Sequence, residues 1–504
     1  MSRLGSRNGA IPVAAPRTAP LTKLAAPIAA AVAALVAGAV AARQPQMTLG
    51  LVVAAGLVAL VFRKPAVGVS MLIFLTAVVP YGVQNQLGIG GGGGAPGLLL
   101  SDVLLFSALG WALLALTEQR LARREFRLTI ALLVFVALVV VQFLHGFRAG
   151  NNLSQAGQDL RVLLSIGLAV IVFPLLADGR TRRQFLIGLL ACGLALGAWG
   201  VLQWFGHIEF GAAQDVGVRP GVRLTTTGIG QLQGGEYGFP IVIVMCFAVL
   251  AGGVVRSCVV RVLLGVALVL NAVSCLVTFE RTFWLATVLG CTLVLLRTPP
   301  HRRVAVLVAT PFIVVLGFTV LTAVAPNELT TASQRLLSLG QYGDDDSVRY
   351  RIVESRHVID RIKADPVTGS GLAATVFWGQ PWAQVPAETT AFSHNGYLWL
   401  AWRLGIPGAA LLILIIGSAI LLRAPPRRYC LLGSLRIGAQ GGLATLLVVM
   451  VTFPSVSALS ITAAIGVLLG LAVAKPAPSS DSAPVRRQLA AGERTKAAPS
   501  FSSQ

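Results

Sequence analysis

The sequence predicts an all-α fold: a polytopic transmembrane helical bundle of about 12–14 spans, with one large extracytoplasmic loop containing an amphipathic helix. Composition is the first observation behind this. Hydrophobic residues make up 55% of the 504-residue chain and charged residues only 12%. A soluble chain of that length would need far more polar surface. The second is block length: apolar runs recur near the roughly 20 residues a helix needs to cross the hydrocarbon core. Period-two alternation is absent, so the backbone must be satisfied within helices rather than in a barrel. The third is where the charges fall, between the apolar blocks.

Spans are expected near 24–42, 47–63, 66–84, 98–117, 128–147, 158–177, 185–206, 237–255, 261–278, 280–297, 304–325, 396–422, 432–452 and 456–474. The apolar block at 24–42 is read as a first span in preference to a cleaved leader. The stretches 261–297 and 432–474 are the places where two short spans could merge or re-enter. This even number puts both termini in the cytoplasm. The division is then a basic cytoplasmic tail (1–23), transmembrane helices (24–325), the large extracytoplasmic loop (326–395), C-terminal transmembrane helices (396–474) and a disordered cytoplasmic tail (475–504). That tail is rich in Pro, Ala and Ser.

The chain carries 40 basic and 19 acidic residues, a net charge of +21. The basic residues cluster in connections: Arg120, Arg123, Arg124 and Arg127; Arg180, Arg182 and Arg183; Arg297, Arg302 and Arg303; Arg423, Arg427 and Arg428. A single orientation puts all of these on the cytoplasmic side, as positive-inside sorting requires. The excess therefore argues for a membrane partner and against nucleic acid, for which no basic-aromatic module is present. The six cysteines fall in spans or short connections, giving neither a disulfide framework nor a CxxC metal pair.

The opposite side carries the longer polar segments: 84–96 with its glycine run, 146–158, 207–236 and 326–393. The last is too long for a simple connection and points to function. Within it, Ser347 to Lys363 reads as an amphipathic helix, with Val348, Ile352, Ile359 and Ile362 at helical spacing. Asp365-Pro366 ends that helix, and Thr368-Gly369-Ser370-Gly371 is a turn.

Ser393-His394-Asn395-Gly396-Tyr397 stands where this loop meets the next span. A histidine there can serve as a base at neutral pH, or His394 and Asn395 can simply cap the helix. Glu280-Arg281 sits at the outer end of another span, where an ionisable pair is either functional or snorkelling to the interface. Arg351 reads as a helix charge, Asp159 and Arg161 as an interfacial ion pair, and Arg219 and Arg223 as loop charges. Together, though, these arginines and His394 share one membrane face, and guanidinium groups suit bidentate contact with a diphosphate. Asp344-Asp345-Asp346 reads as a solvated acidic turn, not a metal site.

Arg351, Pro366, Gly369-Ser370-Gly371, Ser393-His394-Asn395-Gly396-Tyr397 and Gly405-Ile406-Pro407-Gly408 resemble the signature of the O-antigen ligase and O-antigen polymerase superfamily. Phe279-Glu280-Arg281-Thr282 resembles that family's Ser-Arg-Thr motif, with Glu280 where serine is frequent. The resemblance covers about 278–410. It implies a glycosyltransferase using a polyprenyl-diphosphate-linked glycan donor at the outer face of the cytoplasmic membrane. The acceptor would be a glycan, lipid or protein, and no cofactor, metal or nucleotide sugar would be needed. On that reading His394 takes the acceptor proton, while Arg281 and Arg351 hold the diphosphate. Arg161, Arg223, Asn395 and Tyr397 would assist in binding substrate. The competing reading is a transporter or flippase of lipid-linked saccharides, which would place its charged residues near the midplane.

Overall fold

The computed structural model describes residues 45–79, 99–118, 121–206, 237–278, 280–308, 346–380, 385–422 and 430–475, with 319 and 322. The expected first span, most of the expected span 304–325, the glycine run and the C-terminal tail lie outside the described residues. So do Arg219, Arg223, Phe279, Asp344 and Asp345.

The chain is an α-helical bundle. In order, the helices are α1 (Pro45–Arg63), α2 (Pro65–Val78), α3 (Leu100–Glu118), α4 (Arg123–Arg148), α5 (Leu153–Leu164), α6 (Leu168–Ala177) and α7 (Gly179–Gly206). Then come α8 (Gly238–Gly252), α9 (Cys258–Leu276) and α10 (Arg281–Arg297). The large loop contributes α11 (Asp346–Ala364) and the strands β1 (Val376–Gln380) and β2 (Val385–Thr390). Finally come α12 (Gly396–Leu421), α13 (Leu431–Val449) and α14 (Leu459–Val473).

Among the described residues, seven segments are long and apolar enough to cross a membrane: Leu100–Thr117, Arg123–Arg148, Leu153–Ala177, Gly179–Trp204, Cys258–Leu276, Gly396–Leu421 and Leu431–Val449. Val52–Arg63, Pro65–Val78, Gly238–Gly252 and Leu459–Val473 are shorter apolar helices. The expected span 158–177 is two helices, α5 and α6, joined by a 3-10 turn at Ser165–Gly167. The short spans 261–297 and 432–474 remain separate helices rather than merging.

The core is built around α13, which packs on α8, α10 and α14. Close approach is possible because small residues meet: a Cβ at Gly290 of α10 or Gly441 of α13 would press on the other's carbonyl oxygen. Thr445 of α13 donates its hydroxyl to the Ala286 carbonyl of α10 (3.1 Å), adding a polar tie inside the apolar interior. Outward-facing residues such as Leu133, Val141, Val288 and Leu414 are exposed, as they must be on helices solvated by lipid.

Two sequence expectations change here. The loop helix buries Val358 and Ile362, whereas Ile352 and Ile359 are exposed. The docked face is rotated because Val358 and Ile362, on one helical stripe with Glu354, pack toward Ala374, Val376 and Trp402. Of the expected apolar positions, Ile362 is on the docked stripe, whereas Ile352 and Ile359 mark a second stripe beside it. Asp159 and Arg161 also do not pair with each other. Two residues apart on a helix they point to different sides; Asp159 bonds Arg403 (2.6 Å) and Arg161 bonds Asp102 (2.7 Å).

The β1–β2 hairpin adds to the expected architecture. It is antiparallel, pairing Val376 with Thr390 and Trp378 with Glu388, and is irregular between Trp378 and Gln380.

Candidate functional site

The site grows from the way the large loop is clamped onto the bundle. Past α11, residues 366–374 thread between α4, α5 and α12. Gln142 of α4 donates to the Thr368 carbonyl (2.7 Å), and Asn151 to the Leu372 carbonyl (2.8 Å). Ser370 N–H donates to the Trp402 carbonyl (2.8 Å), and Ile406 N–H to the Pro366 carbonyl (2.8 Å). The last two bonds require α12 to open at Gly405, which is non-helical (φ 71°, ψ 166°). Pro407 follows it and cannot donate an N–H to the helix ladder.

Gly369 and Gly405 both adopt positive φ and lie backbone to backbone. A Cβ on Gly405 would strike the Val367 carbonyl, and one on Gly369 the Gly405 nitrogen. Gly371, also at positive φ, lies against Gly146 of α4 in the same manner. The glycines of both motifs are thus what lets loop and helix touch main chain to main chain.

A buried ion pair locks the clamp. Arg403 bonds Asp159 (2.6 Å) and the Ala391 carbonyl (2.6 Å), and its guanidinium lies over the rings of Trp399 and Trp402. Asp159 also accepts the Ala373 N–H (2.8 Å). One charge pair therefore ties α5, α12 and both flanks of the hairpin.

So held, α11 presents Glu354 to His394. The carboxylate is buried, and its Oε2 accepts both the His394 backbone N–H (3.0 Å) and the ring at Nδ1 (2.9 Å). Oε1 is buried with no hydrogen-bond partner. A carboxylate at Nδ1 fixes the tautomer with hydrogen on Nδ1 and the basic lone pair on Nε2. Phe392 packs edge-on against the imidazole at 4.8 Å.

Asn395 is the N-cap of α12, its side-chain oxygen accepting from Tyr397 N–H (3.0 Å) and Leu398 N–H (3.1 Å). The Tyr397 hydroxyl donates to the Leu447 carbonyl of α13 (2.5 Å). These two residues set the position of the helix that follows His394. The capping alternative thus describes Asn395, whereas His394 is held by a carboxylate instead.

Arg281, Arg351 and His394 gather around the turn between α13 and α14. Gly396 N–H donates to the Met450 carbonyl (2.8 Å), which brings the His394 end of α12 to that turn. Thr282 and Thr452 share a hydroxyl bond (2.9 Å), and Phe283 packs on Phe453 at 5.3 Å, which brings the start of α10 and Arg281 there. Arg351 lies over the Phe453 ring at 5.5 Å, completing the set from α11. Arg281 and His394 are therefore at the same end of the bundle. Tyr237, just before α8, packs on both Phe283 and Phe453.

Arg161 is engaged differently. Its guanidinium pairs with Asp102, whose side chain also accepts the Leu99 N–H (2.9 Å), and both side chains are mostly buried. Among the described residues, no group of three or more His, Cys, Asp or Glu side chains is arranged to hold a metal ion.

Glu354 is the site residue that sequence reasoning missed. A signal existed: it stands three positions after Arg351, so the two share a helix face. A basic imidazole nitrogen and two guanidinium groups at the positive end of the α10 dipole together suit proton abstraction beside a leaving phosphate.

No curated protein matches the chain. Residues 266–413 match the family model of the O-antigen ligase, a stretch running from within α9 to within α12 and holding Arg281, Arg351, Glu354 and His394. Over this stretch the chain is similar to the O-antigen ligase and polymerase superfamily, as its motifs indicate.

Proposed function

We propose that this multi-pass membrane protein transfers a glycan from a polyprenyl diphosphate carrier to a hydroxyl of a glycan, lipid or protein acceptor, at the outer face of the cytoplasmic membrane. The observation that carries this reading is the Glu354–His394 contact (2.9 Å) beside Arg351 and the Arg281 end of α10.

In the reaction, His394 Nε2 takes the proton of the acceptor hydroxyl as its oxygen attacks the anomeric carbon. The bond from that carbon to the diphosphate oxygen breaks, and the electron pair leaves with the polyprenyl diphosphate. Arg351 and Arg281 stabilise the charge that collects on the leaving group. Glu354 stabilises the imidazolium that forms. One base and one displacement give inversion at the anomeric carbon. Arg223 is a further candidate for the diphosphate. Arg161, already paired with Asp102, acts on the site through α5.

Sidedness rests on the arginines. Arg297 ends α10 opposite Arg281, and Arg180, Arg182 and Arg183 open α7 beyond α6. Positive-inside sorting then turns His394 outward. The test is reconstitution of the purified protein in vesicles with a labelled lipid-linked glycan and an acceptor. Transfer to the acceptor, persisting in EDTA, is the expected result. Movement of the donor between leaflets without any new glycosidic product would instead favour the flippase reading.

A further inference from the structure

The end of the bundle opposite His394 holds a second concentration of arginines, and one of them is buried inside a span. Arg436 lies on α13 with 5% of its surface exposed, and its Nε and Nη2 are buried without a hydrogen-bond partner. It is five residues past the start of the helix, about 8 Å in from that end. That is the depth of lipid phosphates rather than of bulk water.

Among the described residues, no acidic neighbour neutralises it. The charges that act on Arg436 are those of Arg124 and Arg297, both positive. Arg297 bonds Gln440 and the Ile420 carbonyl (2.7 Å), so it closes the end of α12 without meeting a carboxylate. Arg124 is exposed in the first turn of α4. Next to it, Glu125 spends its oxygens on the main-chain N–H groups of Ala122 and Lys475 (2.8 Å each). An unpaired buried cation costs several kcal/mol, and at membrane depth it marks a site for a counter-charge. Ordinary positive-inside arginines sit in connections and stay wet; Arg436 does neither.

We propose that Arg436, Arg297 and Arg124 bind the phosphate headgroup of an anionic phospholipid, seated between α4, α10, α12 and α13. Basic pockets between spans on the cytoplasmic side are suited to such headgroups. The ligand restores the missing charge and supplies acceptors to Nε and Nη2. This site is separate from the transfer chemistry and does not depend on it.

The test is thermal unfolding of the full chain in nanodiscs of phosphatidylcholine, with and without phosphatidylglycerol. Phosphatidylglycerol should raise the wild-type melting temperature, since a ligand that binds only the folded state stabilises it. Arg436→Met should abolish that increment, and in pure phosphatidylcholine should be at least as stable as wild type. Arg124→Gln, an exposed change that leaves packing alone, should weaken the phosphatidylglycerol response by about fivefold in concentration. It carries the test should Arg436→Met fail to fold. An equal increment in wild type and in the variants would overturn the proposal. So would inorganic phosphate reproducing the increment in phosphatidylcholine, since the site would then take a soluble anion.

Discussion

One oxygen of Glu354 accepts two hydrogen bonds from His394, one from its backbone N–H and one from its ring, across 40 residues of chain. The loop helix therefore does more than cover the site. It fixes both where the imidazole stands and which nitrogen is basic. Glu354→Gln keeps the shape and can still accept one bond, but it loses the charge. It should lower kcat about 10²-fold or more while leaving KM for the lipid-linked donor nearly unchanged. Steady-state kinetics with varied donor decide this, and Glu354→Asp should recover part of the rate.

Arg351 and Arg281 are assigned to the diphosphate, and lysine tests that assignment because it keeps the charge and loses the planar fork. Arg351→Lys and Arg281→Lys should each lower kcat/KM by about tenfold or more. Binding of a donor analogue should weaken in parallel. Equal affinity in both variants would remove these residues from donor recognition.

The clamp at Gly405 predicts a structural phenotype far from the chemistry. Gly405→Ala places a methyl group against the Val367 carbonyl at a positive φ, a conformation that itself costs about 1–2 kcal/mol in an L-residue. The variant should melt earlier, and limited proteolysis should cut first between 366 and 374. Gly417→Ala on the same helix, where a Cβ meets nothing within 4 Å, is the control and should behave as wild type.

The Asp159–Arg403 pair is buried on both sides. Removing either partner alone leaves an uncompensated charge and should cost about 3–5 kcal/mol. Arg403→Met combined with Asp159→Asn should be less damaging than the sum of the two single changes, read by thermal unfolding in detergent. Additive effects would mean that the pair does not act as a unit.

Much of this was legible in the sequence. Block length placed the described helices, because the bilayer sets the length of an apolar block. The loop helix was legible from Asp365-Pro366 at its end, and α11 runs to Ala364. Its docked face was not, because Ile352 and Ile359 form an apolar stripe that the loop leaves exposed. His394, Arg281 and Arg351 were legible as ionisable groups expected on one side, and the fold puts them at one end of the bundle. Glu354 was hidden among the other acids of the loop, since only the fold shows that it is buried at an imidazole. The β1–β2 hairpin and the pairing of Asp159 with Arg403 depend on tertiary contacts, which local spacing does not encode.

The most direct measurement is a single-turnover assay in which purified His394→Ala is saturated with labelled lipid-linked glycan and acceptor. The account predicts that donor still binds while glycosidic product forms at least about 10²-fold more slowly than in wild type. Product formed at the wild-type rate would contradict it.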